Sequence, residues 1–408
     1  MRVIDVERED GFLSSEMKNA LECFVVALRL GLTSFGGPVA HVGYFRDEYV
    51  SKRNWISEER FGELMALSQF IPGPGSSQLG AAIGHERAGL LGGLAAWLGF
   101  TLPSALVLLF VAMGIDALSG GFVPGMLHGM KLAAIAVVAG AWIGMRRSLA
   151  TGMRKMLIAI FALLVLLITS LAWMTILVIA VAAVLGILFL DSGKLPESKG
   201  NQSFGLAGMV AIVVFFIFLF LSLKQTSNSD WQQLGGIYRA GALVFGGGHV
   251  VLPMLQETMV GGGHMPKDVF LGGYGATQAV PGPVFTFGAF LGGQTQIFGN
   301  ALLGAGMAVI AVFLPGMLLL SGTMSVWGGL RGKAWAQKAI QGANAAVVGV
   351  LGLALIQMAT EGAIMGWEDA LGVGVLFFIL HRKVIPVWAV VILAALVGAV
   401  IGLAFNLQ

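Results

Sequence analysis

The chain has 408 residues, 57% of them hydrophobic and 11% charged, with a mean hydropathy of +0.87 and a formal net charge of +3. A soluble globular chain carries about 25% charged residues, so this one cannot cover itself with polar surface and must be covered by lipid. The short alternating segments of a membrane β-barrel are absent, and no basic stripe or tail offers a nucleic-acid surface. The single cysteine, Cys23, excludes an intramolecular disulfide and a thiolate metal site.

Residues 1–19 are polar, with Asp5, Glu7, Glu9, Asp10 and Glu16 against Arg2, Arg8 and Lys18. No basic stretch leads into an apolar run there, so the segment reads as a cap on one side of the membrane, not as a signal peptide. Thirteen apolar segments follow, near 20–44, 61–84, 88–113, 124–145, 156–170, 172–190, 205–223, 233–256, 269–293, 297–321, 340–360, 366–380 and 384–405. Many approach the roughly 20 residues that cross a hydrocarbon core. The expected fold is an all-α polytopic membrane protein with two homologous halves. A first repeat spans 20–190, a hydrophilic linker and a connecting transmembrane helix occupy 191–232, and a second repeat spans 233–408.

The halves announce themselves by duplicated motifs. Phe35-Gly36-Gly37-Pro38 and Gln69-Phe70-Ile71-Pro72-Gly73-Pro74 recur as Phe245-Gly246-Gly247-Gly248 and Gln278-Ala279-Val280-Pro281-Gly282-Pro283. Arg29 and Arg239 each stand six residues before the motif phenylalanine, and each Pro-Gly-Pro is followed by an apolar segment with its own proline, Pro103 and Pro315. Paired glycines and a proline cannot continue a straight helix, and a residue before proline avoids the α region. Pro38, Pro72, Pro74, Pro281 and Pro283 are therefore expected to break helices at matching points. Paired broken helices in corresponding halves point to a transport site.

Charge tests the topology. Basic loops stay in the cytoplasm, and they lie at 46–60, 146–155, 331–338 and 381–383, while the turn 361–369 is acidic. If every segment spans, 46–60 and 146–155 fall on opposite sides. Let 20–44, 61–84, 233–256 and 269–293 be re-entrant, and all four basic loops share one side. The sum is nine crossings and four hairpins, in two inverted halves.

Opening a helix in lipid leaves amides that each cost several kcal/mol unless satisfied. Bare amides and helix N-termini carry partial positive charge, so an anion is the natural ligand. An arginine in an apolar segment is a functional candidate by default, and its planar fork suits oxyanions, though it can also snorkel. Gln69 and Gln278 serve either as ligand donors or as caps for loose backbone groups. Lys131 follows His128-Gly129 where the second half has Asn344 after Gln341-Gly342. His41 and His249 flank the breaks, as proton-coupling groups or as partners of open backbone. Two histidines without a carboxylate cluster make no metal site, and no cofactor is called for. Pro-Gly-Pro-Gly is not a P-loop, since no Gly-Lys-Ser/Thr follows.

These motifs, Phe35-Gly36-Gly37-Pro38 with His41, both Pro-Gly-Pro elements, and Phe245-Gly246-Gly247-Gly248-His249, resemble the chromate ion transporter family over both halves, in its long two-domain form. The resemblance implies export of chromate from the bacterial cytoplasm across the inner membrane, driven by membrane potential or a proton gradient, with chromate resistance as the result. It also implies oppositely oriented halves. Gly248 stands where the first half has Pro38, so the two sites are not equivalent. The expected substrate-binding set is Arg29, Gly36, Gly37, His41, Gln69, Gly73, Lys131, Arg239, Gly246, Gly247, His249, Gln278, Gly282 and Asn344. The expected partners are a chromate- or sulfate-like oxyanion and the bilayer, with a homodimer left open. A sulfate permease, an anion channel and a membrane enzyme acting on lipid phosphate are the competing readings; the last lacks a visible nucleophile or metal cluster.

Overall fold

The computed structural model describes residues 7–35, 37–117, 122–169, 174–192, 205–224, 226–244, 251–324, 326–327, 333–360, 364–382 and 384–405. These residues form sixteen α-helices. The first half contains α1 (Glu7–Thr33), α2 (Gly37–Phe45), α3 (Glu58–Phe70), α4 (Gly75–Ala117), α5 (Phe122–Leu149), α6 (Met153–Ile168) and α7 (Met174–Phe189). The connecting helix is α8 (Leu206–Leu223), apolar on every side and mostly exposed to lipid. The second half contains α9 (Ser229–Leu243), α10 (Val251–Gln256), α11 (Lys267–Ala279), α12 (Phe287–Gln294), α13 (Ala301–Met324), α14 (Ala334–Met358), α15 (Trp367–His381) and α16 (Val387–Phe405).

The breaks fall where the chain chemistry puts them. Ser57 caps α3, its side chain accepting from the Arg60 amide, and Ile71 turns extended before Pro72. Asn228 caps α9 by accepting from the Asp230 and Trp231 amides. Helix α4 is two helices, 75–87 and 90–117, joined at Ala88 and Gly89, where Gly89 has a φ of 56°. The matching pair in the second half is α12 and α13, separated by the turn at 295–300. A π-helical turn follows the broken helix in each half, Arg46–Lys52 and Glu257–Gly261.

Ion pairs fix which ends share a face. Glu22 of α1 bonds Arg53, beyond α2, at 3.2 Å, and Arg87, at the tip of 75–87, at 3.0 Å; Arg60 at the start of α3 bonds Glu86 at 2.6 Å. Both broken segments of the first half therefore enter and leave on the same face, with their breaks at depth. In the second half the Ser229 hydroxyl meets His264 at 3.2 Å, and Trp231 packs on Phe298 with ring centroids 5.4 Å apart. Its broken segments also return to the face from which they came. The halves are inverted, so that face is the opposite one.

Six helices among the described residues, α4, α5, α8, α13, α14 and α16, are long and apolar enough to cross a membrane. Three expected crossings are shorter: α6 and α7 have 16 residues each and α15 has 15. Sixteen residues reach about 24 Å, short of the roughly 30 Å core, so the bilayer must thin or the helix ends must snorkel there.

The halves interlock. Helices α6 and α7 of the first half pack on α14 of the second, and α15 and α16 of the second pack on α5 of the first. Glycines permit the close approach. A Cβ on Gly129 of α5 would strike the Ala394 carbonyl of α16, and one on Gly342 of α14 would strike the Ala182 carbonyl of α7.

Candidate functional site

Each Pro-Gly-Pro docks on the broken helix of the other half. The Gly282 amide donates to the Ser34 carbonyl at 3.0 Å, and the Gly73 amide donates to the Val244 carbonyl at 2.8 Å. Ser34 and Val244 are the residues just before the two Phe-Gly-Gly motifs. The open end of one helix is thus satisfied by the loop of the opposite repeat, as lipid-buried backbone requires. Both glycines are forced. Gly73 has a φ of +127°, and its Cβ would lie 2.9 Å from Gly316 Cα; Gly282 has a φ of +98°, and its Cβ would lie 2.8 Å from Ser104 Oγ. Gly316 and Ser104 follow Pro315 and Pro103, so each loop also packs on the other half's proline-bearing helix. The Gln78 side-chain amide ties the first loop in place, donating to the Pro72 and Gly316 carbonyls at 2.9 and 3.0 Å.

His41 is fully buried behind this junction. Its Nε2 lies 3.2 Å from the Ser34 carbonyl and its Nδ1 3.2 Å from Ser76 Oγ. A carbonyl only accepts, so Nε2 carries the proton and Nδ1 accepts from the Ser76 hydroxyl. His41 is used by open backbone, the plainer of its two readings.

Between the two loops lies a cavity of about 460 Å³, lined by residues of both halves. Gly73, Pro74, Gly75 and Ser76 contribute one wall and Pro283, Val284 and Phe285 the facing one. Pro38 and Val42 of α2 close one side; Ser68 and Gln69 of α3, Ser148 of α5 and Asn344 of α14 supply polar groups. Gln69 and Ser148 are exposed and mark the mouth. The mouth adjoins Arg146 and Arg147, in the last turn of α5 and exposed, so the cavity opens at the basic face. The volume exceeds that of ten liquid waters at about 30 Å³ each, enough for a partly hydrated small anion.

Among the described residues, no charged side chain lines this cavity. Its positive character comes from backbone. Gln78 makes the first intrahelical bond of α4, to Pro74, which leaves the amides of Gly75, Ser76 and Ser77 without helical acceptors. The open amides of the α4 N-terminus, the Pro38 end of α2 and the side-chain amides of Gln69 and Asn344 converge on one space, whereas the Ser68, Ser76 and Ser148 hydroxyls give their protons to the Met65 carbonyl, His41 Nδ1 and the Gly144 carbonyl. That is an arrangement for an anion held by dipoles and hydrogen bonds.

The structure distributes the remaining expected residues unevenly. Gly37 has a φ of +75° at the start of α2. Arg29 is exposed on the outer side of α1, away from the cavity. Arg239 is half-buried; its guanidinium donates to the Ser222 carbonyl at the end of α8 and interacts with Glu257. Lys131 is buried and paired with Asp268 at 2.7 Å. Gln278 and Pro281 lie at the second loop, and the Gln278 side-chain nitrogen is buried without a partner, as is Asn344 Oδ1. Gly36, Gly246, Gly247, Gly248 and His249 lie outside the described residues. Among the described residues, no cluster of three His, Cys, Asp or Glu is placed to hold a metal.

Sequence reading overlooked the serines. Ser68 had a signal, because Thr277 repeats a hydroxyl before Gln278. Ser76 had none, since its counterpart is Phe285, which lines the same cavity with a ring.

A family model described as "Chromate transporter" matches residues 21–187 and again 231–399. An uncharacterized transporter of Methanocaldococcus jannaschii is 26% identical over 94% of both chains. A probable chromate transport protein of Synechococcus elongatus is 30% identical over 72% of both chains. The chromate transport protein of Pseudomonas aeruginosa is 28% identical over 72% of this chain and 70% of its own. No solved structure matches the chain at a significant level. With the family's unit found once in each inverted half, this multi-pass membrane protein belongs to the chromate transporter family, in its long, two-repeat form.

Proposed function

We propose that the chain exports chromate from the cytoplasm across the bacterial inner membrane, conferring resistance, with the basic face inside and the cavity between the Pro-Gly-Pro loops as the loading site. The observation that carries the reading is the cavity itself: both repeats build it, backbone and side-chain amides line it, and it opens beside Arg146 and Arg147. Two relatives are named for chromate transport. Energetics favour the outward direction. A dianion leaving a negative-inside cell gains about 4.6 kcal/mol per 100 mV, twice the single-charge figure, or more than a thousandfold in concentration ratio.

The test is chromate uptake by everted membrane vesicles, with and without an imposed interior-positive potential, and with sulfate as competitor. Potential-driven accumulation that sulfate blocks only weakly is expected. Preferential accumulation of sulfate would replace this reading with a sulfate transporter. No accumulation of either anion, in vesicles shown competent by a control transporter, would overturn it.

A further inference from the structure

The Pro-Gly-Pro loops meet in one cavity, but the inverted repeat sends the counterparts of its helical polar groups toward the opposite face. Asn344 in the cavity corresponds to Lys131, Gln69 to Gln278, and Ser68 to Thr277. Helices α5 and α14 run antiparallel, since Ser148 shares the cavity with Asn344 while Trp142 Nε1 donates to the Val348 carbonyl at 3.1 Å. Lys131 therefore lies toward the far end of the pair, roughly 22 Å along α5 from Arg146 at about 1.5 Å per residue. That end carries the acidic residues Glu368 and Asp369, and Asp369 bonds His128 of α5 at 2.7 Å.

The counterpart region is shut. α11 packs tightly on α5, with Gly275 against the Met130 carbonyl, 2.6 Å from where a Cβ would stand. Thr277 is buried. The Lys131 side chain is 6% exposed, yet its ammonium reaches Asp268 in the first turn of α11, a carboxylate 66% exposed at the surface. One turn beyond Gly275, the Gln278 side-chain nitrogen is a buried donor without an acceptor. A buried ammonium held by a surface carboxylate has the makings of an anion site with its entrance closed, and the unused Gln278 amide lies about 15 Å deeper along α11.

We infer that Lys131 is the anion ligand of the outward-facing path, and that the Lys131–Asp268 ion pair is the gate that closes that path while the cavity at the basic face is open. The inference rests on the transport reading above. As the outer path opens, Asp268 releases the ammonium, and the anion replaces the carboxylate as its partner. The second half's counterpart of Lys131, the neutral Asn344, gives loading and release different chemistry: dipoles on one side, a full charge on the other.

The test uses the full chain with Cys23→Ala, which removes its single cysteine, and a reporter at Thr277→Cys or Ser68→Cys. Labelling by a membrane-impermeant thiol reagent is followed from each face. Thr277→Cys should be protected from the acidic face while the pair is intact, and several-fold more reactive with Asp268→Asn. Ser68→Cys should label from the basic face in either background, which verifies that the variant has folded. Unchanged protection of Thr277→Cys in Asp268→Asn, with Ser68→Cys still labelling, would overturn the gate. The exchange Lys131→Asp with Asp268→Lys should restore protection but not transport. Recovery of transport by that exchange would overturn the role of Lys131 as anion ligand. Labelling needs no anion, so a labelling shift without chromate uptake would fault the proposed substrate and leave the gate standing.

Discussion

At the residue scale, the two Pro-Gly-Pro glycines carry more of the architecture than any charged side chain. Each has a positive φ, donates its amide to the opposite half, and abuts the other half's proline-bearing helix. Gly73→Ala and Gly282→Ala should each lower the stability of the solubilised protein by about 1–3 kcal/mol and abolish vesicle transport, read by thermal unfolding and anion uptake. A second residue-scale expectation concerns the loop 46–60. Burial raises the Glu48 carboxyl, but hydrogen bonds from Arg53 and Lys52 outweigh it and hold it below the usual carboxylate range. Its stabilisation is present above the ordinary carboxylate pKa and is lost as pH falls through the depressed value. Glu48→Gln should flatten the acid limb of a stability-versus-pH curve and lower the plateau at neutral pH. The arginines show why part of the site was not legible. Arg29 and Arg239 repeat with identical spacing, yet one faces outward and the other serves the end of α8. A repeat in sequence marks a structural equivalence, and side-chain direction depends on neighbours from the other half.

At the element scale, the helices and their breaks could be read directly, because proline and paired glycine act on local backbone. The interlocking could not. Contacts of α6 and α7 with α14, and of α15 and α16 with α5, join residues about 150 to 270 positions apart and follow no period that a single sequence displays. Their imprint is glycine. Gly129→Val and Gly342→Val, at matching contacts, should push α16 from α5 and α7 from α14, reducing the amount of folded protein recovered in detergent. Gly140→Ala and Gly144→Ala, where an added Cβ meets nothing within 4 Å, should leave recovery and transport as they are. Size-exclusion profiles of the four variants check the contrast. The short segments expected at 156–170 and 366–380 match α6 and α15, which have 16 and 15 residues.

At the scale of the whole molecule, inversion is the organising fact. Loop charge predicted it, the pairs from Glu22 to Arg53 and Arg87, with Arg60 to Glu86, return the first half's broken segments to one face, and the matching helices α5 and α14 run antiparallel. Two breaks that satisfy one another's backbone place a polar cavity between repeats, open at one face, while an ion pair shuts the other. The central claim is that this uncharged cavity, and not an intramembrane arginine, binds the oxyanion. It is tested most directly by equilibrium binding of labelled chromate to the purified protein. Gln69→Leu and Asn344→Leu should each weaken binding about tenfold, the worth of one lost hydrogen bond of roughly 1.4 kcal/mol, while Arg29→Ala should bind as the parent does. Unaltered affinity in both cavity variants, or loss of binding in Arg29→Ala alone, would contradict it.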